Sequence, residues 1–150
     1  GCKVKNFKNQ GGWCQQSLEY IAENGICTVD DWPEGTEGIN RRYDKPNSWA
    51  VAKHYRVTEW MDLEPGNVDQ FLTCLLNGYA FPSDFNWWGH SVCTLDLLDI
   101  QFTKSWKIQS IRTMIRNSWG TGWGDQGNGI LEGNRAIPNG AICPLVAVGA

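Results

Sequence analysis

Arg116-Asn117-Ser118-Trp119-Gly120-Thr121-Gly122-Trp123-Gly124-Asp125 decides how this chain reads. Alternating apolar residues lead into it. Ile111, Thr113 and Ile115 fall on one face of a period-2 strand, and Arg112, Met114 and Arg116 on the other. By the same count Asn117 shares the face of Ile115. Three glycines and two tryptophans then follow in the residues 119–124. Glycine allows tight turns and close backbone approach, and two large rings on so flexible a backbone need something to hold them. The expected arrangement is an amide at a strand end, roofed by indole.

Working outward, the clearest helix spans residues 67–77. Asn67 is its cap, Gln70 completes a capping box, and Val68, Phe71, Leu72, Leu75 and Leu76 form the buried stripe before Gly78. A second helix is expected over residues 13–23, with Cys14, Leu18, Ile21 and Ala22 on one side and Asn24-Gly25 as its stop. Strands are expected over residues 51–60, 79–82, 89–100, 110–117, 129–132 and 141–148. Residues 36–49 and 103–108 read as loop. His54 has no partner in view and reads as structural. Helices followed by antiparallel strands give an α+β class.

Composition narrows the functions. One domain is the default at 150 residues. The formal net charge of -3, with no basic run beyond Arg41-Arg42, leaves no footprint for nucleic acid. No apolar run is long enough to span a membrane. The six cysteines, Cys2, Cys14, Cys27, Cys74, Cys93 and Cys143, form no Cys-x-x-Cys, and with only two histidines a zinc site is not expected. Their even number permits disulfides without assigning them, so a secreted, virion-associated or cytoplasmic setting all remain open. Glycine rather than methionine comes first and no signal peptide is visible, so the chain is expected to start after processing or to be a piece of something longer.

The run from Asn117 to Gly124 resembles the asparagine motif of papain-like cysteine peptidases. Gly89-His90-Ser91-Val92 resembles that family's histidine strand, and Gly11-Gly12-Trp13 through Asn24-Gly25-Ile26 its Gly-Gly helix. The resemblance implies a papain-like fold, with residues 1–28 as part of a helical lobe and residues 29–150 as an antiparallel β-barrel lobe. It implies that His90 is the catalytic acid and base, that Asn117 orients it, and that Trp119 and Trp123 shield the pair. Gly11, Gly12, Trp13, Gly89 and Ser91 are expected to bind a polypeptide substrate. No metal or organic cofactor is implied. The tail from Asn134 to Ala141 resembles bacterial and phage-encoded members.

The thiol is the missing part. Papain-type enzymes carry His and Asn roughly 130–150 residues after the nucleophile, which places a cysteine roughly 40–60 residues before Gly1. Asn9-Gln10-Gly11-Gly12-Trp13-Cys14 superficially resembles the nucleophile motif, but Gln10 lies too near Cys14 and the Trp-Cys order is reversed. Cys93 is three residues from His90 on one strand and points to the other face. The nucleophile is therefore expected on an N-terminal segment or companion chain. The alternative is a catalytically silent papain-like module with a structural or interaction role in a larger assembly such as a virion.

Overall fold

The computed structural model describes residues 13–33 and 45–149. They belong to two compact units, residues 1–60 with 145–150 and residues 61–144. Gly11, Gly12 and Cys2 lie outside the described residues.

In the first unit, helix α1 (Cys14–Asn24) buries Cys14 and Leu18 and stops at Gly25, whose N–H donates to Ile21 O at 2.8 Å. Helix α2 (Pro46–Ala52) takes the place of the last residues of the loop expected over residues 36–49 and the first residues of the expected 51–60 strand. The cause is local. Pro46 occupies the first turn, where a missing N–H costs nothing, and Lys45 before it is extended, as a residue preceding proline should be. The strand that follows, β1 (Arg56–Leu63), starts five residues later than expected. Ile26 N–H donates to Tyr55 O at 3.0 Å, tying the end of α1 to the entry of β1. His54 is an exposed turn residue.

The second unit carries helix α3 (Val68–Leu76). Asn67 caps it, its Oδ1 accepting from Gln70 N–H at 3.1 Å. The reciprocal half of the capping box is absent: Gln70 Oε1 accepts from Glu64 N–H at 2.8 Å, while Asn67 N–H goes to Glu64 O. The buried stripe is Phe71, Leu72, Cys74 and Leu75. Leu76, expected inside, is 70% exposed, because one further residue turns it about 100° away from Leu75.

The strands β2 (Phe81–Phe85), β3 (His90–Phe102), β4 (Ile108–Arg116), β5 (Asn128–Glu132) and β6 (Gly140–Val148) join β1 in one antiparallel sheet, in the order β1-β6-β2-β3-β4-β5. The α+β class expected from the sequence holds. Alternation sets the core. Phe81, Ser83 and Phe85 on β2, Val92 and Thr94 on β3, and Ile111, Thr113 and Ile115 on β4 are all buried. Phe71 meets Phe81 edge to face, with ring centroids 5.7 Å apart, and so seats α3 on this face. Each such fully buried ring contributes about 1.5–3 kcal/mol.

Candidate active site

The register of three strands brings His90 and Asn117 together. Phe85 pairs with His90 across a tight turn of residues 86–89, so His90 begins β3. Thr94 pairs with Ile115, and Asn117 follows one residue beyond the end of β4 on the face of Ile115. His90 Nε2 and Asn117 Oδ1 lie 2.8 Å apart. Asn117 is 4% exposed, and its backbone N–H donates to Gly127 O at 2.9 Å. Its Nδ2 is buried and has no hydrogen-bond partner among the described residues.

The glycine-rich stretch folds back as two successive turns. Trp123 N–H donates to Gly120 O, and Gly127 N–H to Trp123 O at 2.7 Å. This brings Trp119 over the imidazole, with ring centroids 4.7 Å apart and planes inclined by 30°. Trp119 and Trp123 meet edge to face at 6.1 Å. A Cβ at Gly129 would stand 2.6 Å from the Trp123 ring, so the absence of a side chain there makes the seat for this indole. Gly124, at φ 57°, passes so close to the Asn128 carbonyl that a Cβ would lie 2.1 Å from its oxygen. Arg116 braces the same loop, donating to Gln126 O at 2.7 Å.

Of the other residues expected at the site, Gly89 ends the β2–β3 turn at φ 62°, and its N–H is spent on Phe85 O at 2.8 Å. Ser91 donates its hydroxyl to Asp84 Oδ1 and points to the other face of the sheet from His90. It lines a groove of about 270 Å³ with Pro82, Cys93, Arg116, Asn117 and Ser118. Trp13, 61% exposed, belongs to the first unit, as the residue before α1.

Sequence reasoning missed Trp88. Its ring lies 5.0 Å from His90, 5.8 Å from Trp119 and 6.1 Å from Trp123. The available signal was a tryptophan pair placed immediately before Gly89-His90 in a connection too short to hold it away from the ring.

Three of the described cysteines are shifted away from nucleophilic ionisation. Cys27, Cys74, Cys93 and Cys143 are free thiols, and Cys14 is buried at the start of α1. Burial raises Cys93 above the ordinary thiol value. Cys27 is raised by burial and then by the Asp31 carboxylate. Cys143 is pushed up to about 12 by burial and by Cys74 beside it. A nucleophilic cysteine needs the opposite shift. Among the described residues no group of three or more His, Cys, Asp or Glu side chains could hold a metal ion.

This is the papain-like fold, an α+β arrangement of helices and one antiparallel sheet. Among solved structures, the chain is similar to digestive procathepsin L 3 of Tenebrio molitor larval midgut. That match has a TM-score of 0.69 at 18% identity, over 95% of this chain and 52% of the other. Bromelain from Ananas comosus, in complex with the E64 inhibitor, matches with a TM-score of 0.63 at 17% identity, over 91% of this chain and 70% of the other. In sequence the chain is 28% identical to Cathepsin L 1 of Paramecium tetraurelia, over 82% of its own length and 39% of that protein's. It is also 28% identical to Cysteine proteinase 1 of Entamoeba histolytica, over 83% of its own length and 43% of that protein's. The chain thus spans less than half the length of these curated relatives. No protein-family model matches it. Neither relative is from a bacterium or a phage, so the resemblance of residues 134–141 to such members finds no support.

Proposed function

We propose that this chain supplies the acid–base half of a papain-like thiol peptidase, with His90 as proton carrier and Asn117 as its orienter. The observation that carries this reading is the 2.8 Å contact between His90 Nε2 and Asn117 Oδ1 beneath the Trp119 ring. An amide oxygen only accepts, so the shared proton resides on Nε2. A neutral imidazole then offers Nδ1 as its base.

A thiol presented to Nδ1 transfers its proton there, giving a thiolate beside an imidazolium. The thiolate attacks the peptide carbonyl carbon. As the tetrahedral adduct collapses, Nδ1 returns the proton to the departing amine. Water, deprotonated by the same nitrogen, then cleaves the thioester. Asn117 holds the ring in one orientation through these exchanges, and Trp119 keeps water from competing for the Nε2–H bond.

The raised Cys27, Cys93 and Cys143 support a sulfur from another segment or a companion chain over any of these three. The similarity to cysteine proteinases supports a polypeptide as substrate.

The test is cleavage of an unfolded protein substrate by the native full-length protein under reducing conditions. Turnover is expected, abolished by a thiol-alkylating reagent and reduced about 10²–10⁴-fold by His90→Ala. Turnover untouched by His90→Ala contradicts the assignment, and no turnover at all favours a silent structural module.

A further inference from the structure

Trp88 touches more of the histidine's surroundings than either tryptophan of the glycine-rich loop. Its ring stacks on Trp87, with centroids 5.4 Å apart and planes inclined by 15°, and on Trp123 at 6.1 Å and 30°. It meets Trp119 edge-on at 5.8 Å and 82°, and His90 at 5.0 Å and 68°. The imidazole is therefore held between two indoles in different orientations. Trp119 lies nearly parallel to it, and Trp88 meets it across the edge. Rings fixed from two directions lose the swivel about χ2 that a single stacking partner leaves open.

Trp88 is itself anchored. It packs on the buried cluster of Phe85, Val92 and Ile115. Its outer face is covered by Trp87, which in turn is fixed by an Nε1–H bond to Arg135 O at 3.2 Å and by the Arg135 guanidinium 5.1 Å from its ring centre. The short turn of residues 86–89 leaves no slack, because Trp88 N–H and Gly89 N–H both donate to Phe85 O. Trp119, by contrast, is 55% exposed and rests on a loop.

We propose that Trp88 is a positioning residue for His90: it sets the plane of the imidazole from the β2–β3 turn, so that Nε2 stays on Asn117 and Nδ1 stays outward. This rests on the acid–base role given to His90 above, but its test does not. A His90 Nε2–H bonded to Asn117 and sheltered from water exchanges slowly, and it gives its own downfield proton resonance in the full chain whether or not the protein turns over substrate.

Three variants decide it. Trp88→Phe keeps a flat ring and is expected to retain the resonance. Trp88→Leu fills similar space without a plane and is expected to lose it to exchange broadening, with kcat falling at least tenfold and KM unchanged. Trp106→Ala, whose exposed ring meets Phe102 and not His90, is expected to keep the resonance. Unchanged shifts at Leu72 and Ile111, which pack in a separate core cluster with Phe71 and Phe81, establish that each variant is folded. A resonance that survives Trp88→Leu as well as Trp88→Phe, or that Trp88→Phe fails to keep, overturns the proposal. Absence of peptidase activity with the resonances behaving as expected overturns the peptidase reading alone.

Discussion

At the scale of the residue, Asn117 spends its carbonyl on His90 and leaves its amide N–H₂ buried without a partner among the described residues. A buried unsatisfied donor costs about 1–3 kcal/mol, while the hydrogen bond to the ring returns about 0.5–1.5 kcal/mol. The amide is thus poor value for stability, which is the pattern expected of a group kept for chemistry. Asn117→Ala should lower kcat by about one to two orders of magnitude with little change in KM, since an unheld ring samples unproductive orientations. Thermal unfolding of the same variant should change by less than about 1 kcal/mol, because a lost bond and a lost penalty offset. A large stability loss with unchanged kcat would mark Asn117 as structural. The pairing of His90 and Asn117 was legible from Gly89-His90 and from the stretch after Arg116. Trp88 was legible only as a tryptophan near Gly89-His90, because its contacts depend on the Phe85–His90 register.

At the scale of the element, strands were read more surely than short helices. In β4, one face is buried at Ile111, Thr113 and Ile115, and a period of two is visible whenever only one face meets solvent. Helix α2 covers only residues 46–52, too few turns to show a stripe, and only the proline at its start marks it. The same alternation exposes a cost. Thr113 is fully buried and its hydroxyl has no partner among the described residues, whereas Thr94, on the neighbouring strand, donates to Ser83 Oγ at 2.8 Å. Thr113→Val removes an orphan hydroxyl and puts a methyl in its place. It is expected to raise stability by about 1 kcal/mol or more in denaturant unfolding, and a loss of stability would show that the hydroxyl is satisfied in solution.

At the scale of the whole molecule, the sequence carried the fold class and the histidine–asparagine end of the sheet. It did not reveal the groove whose lining of Pro82, Ser91, Cys93, Arg116, Asn117 and Ser118 comes from three different segments. The raised thiols set a pH limit. Unfolded Cys143 ionises near the ordinary value of 9.0, while in the fold it holds its proton to about 12. Below pH 9 both states are protonated and the stability is complete. Between 9 and about 12 only the unfolded chain gains the thiolate, so stability falls as pH rises. Denaturant midpoints should therefore drop across this window, less steeply in Cys143→Ala, and an equal slope in both would remove Cys143 as a source.

The proton between the two side chains tests the account most directly. Nitrogen chemical shifts of the His90 ring, recorded in the full chain with neutral imidazole, report which nitrogen is protonated. The account predicts a protonated Nε2, donating to Asn117, and a bare Nδ1. A protonated Nδ1 with bare Nε2 would mean that the Asn117 amide donates to the ring instead, and that the nitrogen meant to receive a thiol proton already carries one.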